Sequence, residues 1–121
     1  MLTNLDIVIR LALALGAGAM VGIEREKTRH PAGMRTHMLV SIGSALITLV
    51  SVSMLPEDPT RITAAVISRI GFLGAGTIFR DRNNVRGLTT AASIWVVAGL
   101  GVALGAGFYF MAGVGAAAIM L

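Results

Sequence analysis

Five long apolar segments, separated by short polar loops, constrain most strongly what this chain can fold into. They cover residues 5–23, 37–55, 62–79, 88–104 and 108–121. The first four hold 17 to 19 residues each, and helices of that length span most of a hydrocarbon core about 30 Å thick. The fifth holds only 14 residues, and we expect it to be part of a longer natural sequence that is cut here.

The composition excludes a water-soluble domain. A mean hydropathy of +0.82 with 13% charged residues leaves too little polar surface to cover a soluble domain of 121 residues. The 15 glycines are typical of helices that approach one another closely in lipid. We therefore predict an all-α membrane protein. It is a single transmembrane domain over residues 1–121, a bundle of about five transmembrane helices with no soluble carboxy-terminal domain present.

The charges of the loops predict the orientation. Short loops rich in lysine and arginine stay in the cytoplasm. The loops 24–36 and 80–87 together carry seven such residues, whereas the loop 56–61 has one arginine beside two acidic residues. We therefore expect the two basic loops in the cytoplasm and the amino terminus outside, with the lipid bilayer around the helices.

Polar side chains recur along the second apolar segment. Ser41, Ser44 and Thr48 follow one another at steps of three and four residues, which places them on one side of a helix. We expect that side to face protein, with the hydroxyl groups bonded to carbonyl oxygens, as is common between membrane helices. A polar pathway along the same side is the alternative.

Two GxxxG pairs occur, Gly18 with Gly22 and Gly101 with Gly105. Such pairs let helix backbones approach closely. They predict close contacts between helices or dimerisation, and we expect a homodimer.

Few charges lie inside the apolar segments, where a charge is costly. Asp6 precedes Arg10 by four residues, the favourable order for an ion pair on a helix, so we predict a structural salt bridge. Arg69 lies deeper and has no acidic residue in its own segment. Its partner could be Asp6, the hydroxyls of the second helix or carbonyls beside the glycine-rich run 71–76, in a structural bridge or a functional site.

Several classes of function find no support. No acidic side chain lies near the midplane, so one copy is a poor conduit for a divalent cation unless backbone carbonyls or an oligomer axis supply the site. Glu24 and Glu26 end the first helix beside Arg25 and Lys27, which favours a solvated, self-neutralising interface over the alternative of a metal site, and we predict no metal site and no cofactor. The two histidines, His30 and His37, lack a nucleophile arrangement, so we expect no enzyme. The basic residues alternate with apolar runs rather than gathering on one surface, which argues against nucleic acid as a partner.

Four motifs, in order over almost the whole chain, resemble the MgtC/SapB family of bacterial inner-membrane proteins. They are the runs 22–26, 31–37, 71–76 and 84–92. The resemblance implies a multi-pass protein of the bacterial inner (plasma) membrane with a regulatory or stress-adaptation role. That role is linked to magnesium limitation and, in pathogens, to virulence and intracellular survival. It implies binding to another membrane protein such as the F-type ATP synthase; the alternative is a transporter of Mg²⁺ or another small ion or solute.

The resemblance also points to a polar cluster on the predicted cytoplasmic side. Its members are Glu24, Arg25, Glu26, Arg35, Thr36, Asn84, Arg86, Thr89 and Thr90. The amino end of the fourth helix favours an acidic partner, and Arg86 could pair with Glu24 or Glu26. Equally, the arginines could serve only topology and anionic lipid headgroups.

The sequence departs from the family pattern in two ways. Family members commonly carry a small residue, often glycine, where this chain has Arg69. Many also continue into a cytoplasmic ACT-like domain, whereas this chain stops inside its last predicted helix.

Overall fold

The computed structural model describes residues 2–54, 56–58 and 60–121, which form five α-helices and one short β-hairpin. The elements in chain order are α1 (Asn4–Lys27), α2 (Met34–Met54), α3 (Thr60–Ala75), β1 (Phe79–Asp81), β2 (Asn84–Arg86), α4 (Leu88–Gly105) and α5 (Tyr109–Ile119). Within these ranges, α1, α2 and α4 are long and apolar enough to cross a membrane. Helices α3 and α5 are shorter, with 16 and 11 residues. The predicted all-α membrane bundle is confirmed.

Most helix ends lie close to their predicted positions. Helix α1 continues one turn further than predicted, to Lys27, because the basic side chains of its last turn interact favourably with the negative end of the helix dipole. Helix α2 begins at Met34, three residues earlier than predicted. Leu55, where the second helix was predicted to end, lies outside the described residues.

The segment between α3 and α4 was predicted wrongly. Helix α3 ends four residues earlier than expected, and residues 79–86 form an antiparallel hairpin rather than an irregular loop. The Thr77 hydroxyl donates to the carbonyl oxygen of Gly74 at 2.7 Å and to that of Gly87 at 3.3 Å. Gly87 has a φ of 84°, and a Cβ there would collide with the Thr77 carbonyl oxygen. Only glycine therefore fits this junction.

Helices α1 and α2 pack antiparallel with their backbones almost in contact. A Cβ added to Gly18 would lie 2.6 Å from the carbonyl oxygen of His37, and one added to Gly22 would collide with the Cα of Met34. Because lipid supplies no hydrophobic drive between helices, close backbone approach of this kind is a main source of packing energy.

The second GxxxG pair joins α4 to α2, and these two helices run parallel. A Cβ added to Gly101 would collide with the carbonyl oxygen of Ser41, and one added to Gly105 would lie 2.6 Å from that of Ala45. Both glycine pairs thus act within one chain, so the expected close helix contact is confirmed. The homodimer stays a prediction and would need a different surface.

The hydroxyl stripe of α2 faces the interior of the bundle. The Ser41 hydroxyl donates to the carbonyl oxygen of Ala14 at 2.6 Å, and the Thr48 hydroxyl donates to that of Ser44 at 2.7 Å. All three stripe residues are buried. The first bond joins α2 directly to α1, and the second pairs the Thr48 hydroxyl within α2 itself.

The predicted salt bridge between Asp6 and Arg10 is wrong. The Asp6 carboxylate accepts the Thr3 N–H at 3.1 Å in a capping box that begins α1. The Arg10 guanidinium instead donates to the carbonyl oxygen of Gly105 at 2.9 Å and to the Tyr109 hydroxyl at 3.3 Å. A helix end exposes unpaired carbonyl groups and partial negative charge, so the end of α4 is a better partner for this cation.

Replacing Gly101 by alanine should destabilise the bundle, because its Cβ would force α4 away from α2. Overpacking of this kind costs typically about 1–3 kcal/mol. Gly99→Ala is the matched control: Gly99 lies in the same helix, with open space where its Cβ would be. Thermal unfolding of the purified proteins in detergent, followed by circular dichroism, should give a lower Tm for Gly101→Ala alone. Equal Tm values for the two variants would contradict the proposed packing.

Candidate protein-binding site

The residues of the predicted polar cluster gather at one end of the bundle, which we call the basic end. It comprises the last turn of α1, the loop 28–33, the first turn of α2, the hairpin and the first turn of α4. Contacts between helices bring these parts together. Gly22 of α1 packs on Met34 of α2, and Gly74 of α3 packs on Ala91 of α4.

The loop after α1 is held by its own hydrogen bonds. The Thr28 hydroxyl lies 3.1 Å from the carbonyl oxygens of both Glu24 and Arg25, and the His30 Nδ1 lies 2.6 Å from that hydroxyl. The side chain of Glu26 packs over Gly33. These contacts fix the direction in which the chain leaves α1 and enters α2.

A buried hydrogen-bonded pair then joins α2 to α4. The His37 ring is fully buried; its Nδ1 lies 2.7 Å from the carbonyl oxygen of Gly33 and its Nε2 lies 2.8 Å from the hydroxyl of Ser93. Sequence reasoning missed this pair. No periodic pattern in the sequence links the two residues, which lie 56 positions apart. Because the His37 ring is sealed from solvent, it positions α4 rather than contacting a ligand.

Arg25 is the most unusual member of the basic end. It is only 8% exposed, and its Nε and Nη2 atoms have no hydrogen-bond partner among the described residues. The buried hydroxyl of Thr90 likewise has no partner within the described ranges. An unpaired buried cation is strongly destabilising. Arg25 therefore marks a place where an anionic group would be stabilised.

A cavity of about 240 Å³ lies beside Arg25, between α1, α4 and α5. Glu24, Arg25, Thr89 and Ser93 contribute its polar lining. The α4 helix begins here at Gly87 with no side-chain cap, so its first N–H groups are available to an acceptor. The exposed side chain of Glu24 also lines the cavity. Its negative charge favours a ligand that carries a hydrogen-bond donor as well as an acceptor, or one that reaches Arg25 from the α4 side.

The hairpin carries three of the exposed cations of the basic end, Arg80, Arg82 and Arg86. Every residue of its two strands is exposed, and Phe79, Arg80, Asp81 and Arg86 line a shallow concave surface. The Asp81 carboxylate accepts the backbone N–H of Arg82 at 2.9 Å, which orders the turn. The hairpin thus presents an aromatic ring among arginines, a combination that suits an acidic partner surface.

The expected ion pair of Arg86 with Glu24 or Glu26 is not formed among the described residues. Arg86 lies on β2, in register with Phe79 of β1, and its side chain is exposed. Its exposed side chain, without an ion pair among the described residues, is free for an intermolecular contact.

Within the basic end, the nine predicted residues lie in several different surroundings rather than in one site. Glu24, Arg25 and Thr89 line one cavity, while Asn84 and Arg86 lie on the hairpin. Arg35 and Thr36 lie in the first turn of α2, where Arg35 is exposed. Glu26 packs over Gly33, and Thr90 is buried next to the start of α4.

The six intramembrane candidates do not form one site. Asp6 and Arg10 lie at the end of the bundle opposite the basic end, and Ser41 and Thr48 are bonded inside it. Ser44 and Arg69 line a separate groove between α2 and α3. No group of three metal-ligating side chains occurs in the described part of the chain.

A glycine-packed helical bundle with long apolar spans and a polar, basic end defines an integral membrane protein. The chain belongs to the MgtC family, whose family model matches residues 11–121. No solved structure matches it.

Curated relatives extend beyond the matched region. Protein MgtC of Salmonella typhimurium strain LT2 is 47% identical over 100 residues, which are 83% of this chain and 43% of that protein. SapB of Bacillus subtilis strain 168 is 42% identical over 114 residues, 86% of this chain and 49% of that protein. The putative magnesium transporter YhiD of Escherichia coli K12 is 42% identical over 113 residues, 86% of this chain and 53% of that protein. The chain thus spans about half the length of these relatives.

Substituting His37 by leucine should destabilise the junction of α2 and α4, because it removes the hydrogen bond between the His37 ring and the Ser93 hydroxyl. Loss of one such hydrogen bond costs about 0.5–1.5 kcal/mol. The exposed residue Arg35 in the same turn of α2 provides the control, and Arg35→Leu should unfold at nearly the wild-type temperature. Thermal unfolding in detergent measures both; a His37→Leu protein as stable as Arg35→Leu would refute the bridging role.

Proposed function

We propose that this chain is a multi-pass protein of the bacterial inner membrane that regulates another membrane protein by binding it. The role would be adaptation to stress, linked to magnesium limitation and, in pathogens, to virulence and survival inside host cells. Family membership supports this proposal, as do the names of the relatives, which connect the family to magnesium.

One observation carries the proposal: the buried Arg25 guanidinium has unpaired nitrogens beside the uncapped amino end of α4. Positive charge and free N–H groups at one place stabilise a carboxylate or phosphate. The exposed arginines of the hairpin and Arg35 add a second, outer layer of positive charge. Such an arrangement suits an acidic segment of a partner protein.

The excess of lysine and arginine at the basic end favours a cytoplasmic location for it and an external amino terminus. The partner would then present its acidic segment on the cytoplasmic side. The F-type ATP synthase is the first candidate, and the regulator itself would act as a homodimer. Anionic lipid headgroups compete for the same arginines, at about 1 kcal/mol for each cation.

Transport of Mg²⁺ or another small ion or solute is the alternative function, and the name of one relative, the putative magnesium transporter YhiD, favours it. Such a path would use Ser44 and Arg69, which line one groove. A lone arginine repels divalent cations, which require several oxygen ligands, so this groove is a poor magnesium path.

Replacing Arg86 by alanine should weaken partner binding without unfolding the protein, because its side chain is exposed and makes no intramolecular ion pair among the described residues. Loss of one charged contact at an interface costs about 1–2 kcal/mol, or roughly tenfold in affinity. The assay reconstitutes F-type ATP synthase with the purified chain in vesicles and follows ATP-driven proton pumping. The wild type should inhibit pumping, and Arg86→Ala and Asn84→Ala should inhibit it less.

Arg61→Ala is the matched control, since Arg61 is an exposed arginine at the opposite end of the bundle. It should inhibit like the wild type. Equal inhibition by all variants would place the contact elsewhere. A second measurement tests transport: magnesium uptake by vesicles that contain this chain alone is compared with uptake by empty vesicles. Faster uptake that is lost in Arg69→Ala would favour transport over regulation.

A further inference from the structure

Arg69 is a charged side chain exposed on the apolar middle of the bundle. It lies nine residues after Thr60 and six before Ala75, so its Cα is about 13 Å and 9 Å from the two ends of α3. Helix α3 packs beside α2 and α4, both long enough to cross a membrane. The Arg69 side chain is exposed and has no hydrogen bond or ion pair with any described residue.

Beside Arg69, an open groove of about 550 Å³ runs between α2 and α3. Its walls are aliphatic, for example Leu39 and Ile47 on α2 and Ile62 on α3, and Ser44 is the other polar residue that lines it. A Cβ added to Gly43 would meet nothing, so the floor is unfilled. Such a groove accepts the side chains of an apolar helix.

The cation in this groove requires a counter-charge. A charge at the centre of a membrane helix is costly, and such residues almost always pair with another group. The six acidic residues of this sequence lie at helix ends, in loops or on the hairpin: Asp6, Glu24, Glu26, Glu57, Asp58 and Asp81. A second copy of these 121 residues would therefore bring another arginine to the groove and no carboxylate.

A phospholipid is also a poor match for this position. Its phosphate lies at the interface, and the nearer end of α3 is its carboxyl end at Ala75. Side chains on an α-helix lean towards the amino end. We therefore expect the Arg69 side chain to lean away from the nearer interface and towards the middle of the membrane.

We propose that the groove between α2 and α3 binds a transmembrane helix of a different protein, which pairs an aspartate or glutamate within its apolar span with Arg69. The aliphatic walls supply the packing surface. The ion pair determines how deep in the membrane the partner helix lies and which helices are accepted. This surface is separate from the basic end, so it can be tested whether or not the basic end binds a partner.

A synthetic helix tests this recognition directly. The probe is a leucine- and alanine-rich transmembrane peptide of about 21 residues with one central glutamate, compared with the same peptide carrying glutamine. Binding of the labelled peptide to the labelled full chain is measured by Förster resonance energy transfer in phosphatidylcholine vesicles. The glutamate peptide should bind the wild type about tenfold tighter than the glutamine peptide. The preference should vanish in Arg69→Leu and persist in the control Arg61→Leu.

A charge-reversal variant shows whether a loss of binding reflects lost charge recognition or merely a misfolded protein. Arg69→Glu should prefer a peptide with a central lysine over the glutamate peptide. Equal binding of the glutamate and glutamine peptides to the wild type would overturn the proposal. So would retention of phosphatidylglycerol by the wild type but not by Arg69→Leu in native mass spectrometry. Disulfide formation between copies of Gly43→Cys, possible because the chain has no other cysteine, would assign the groove to a second copy instead.

Discussion

The close approach of α2 to both α1 and α4 is the contact on which the rest of the bundle depends. Glycines on α1 and α4 let two backbones come near the carbonyl oxygens of α2, so α2 is enclosed on both sides. In lipid this proximity replaces the hydrophobic effect as a source of cohesion. It also brings hydroxyl groups within reach of carbonyl oxygens, as with Ser41 and Ala14. Both the basic end and the α2–α3 groove are positioned by this enclosed helix.

Hydropathy sufficed to predict the helices. A membrane-spanning segment must form its backbone hydrogen bonds within itself, and the thickness of the bilayer fixes its length. The hairpin could not be predicted in that way. Its two strands have three exposed residues each. They depend on the hydroxyl of Thr77 and the left-handed conformation of Gly87, neither of which leaves a periodic pattern. The same local bonds end α3 early.

The sequence located the charged residues but mispaired them. Asp6 and Arg10 are well spaced for a salt bridge on one helix, yet Arg10 reaches the carbonyl end of α4 and Asp6 caps its own helix. Long side chains bind what the fold brings near, and that depends on topology rather than on sequence spacing. Arg25 illustrates the point most clearly: the last turn of α1 resembles a solvated charged end, but the fold buries this guanidinium against α4.

Arg25 and Arg69 are both cations without a counter-ion among the described residues, and they lie at different depths on two sides of the bundle. One cation is buried with unpaired nitrogens at the basic end, and the other is exposed in an apolar groove without a partner in the described chain. The glycine contacts that could have joined two copies are already used within one chain. These two glycine pairs are therefore not free to join other molecules, whereas the charge and the groove described above are. A cation without a counter-ion selects strongly for an acidic partner and against apolar helices that could otherwise pack anywhere in the membrane.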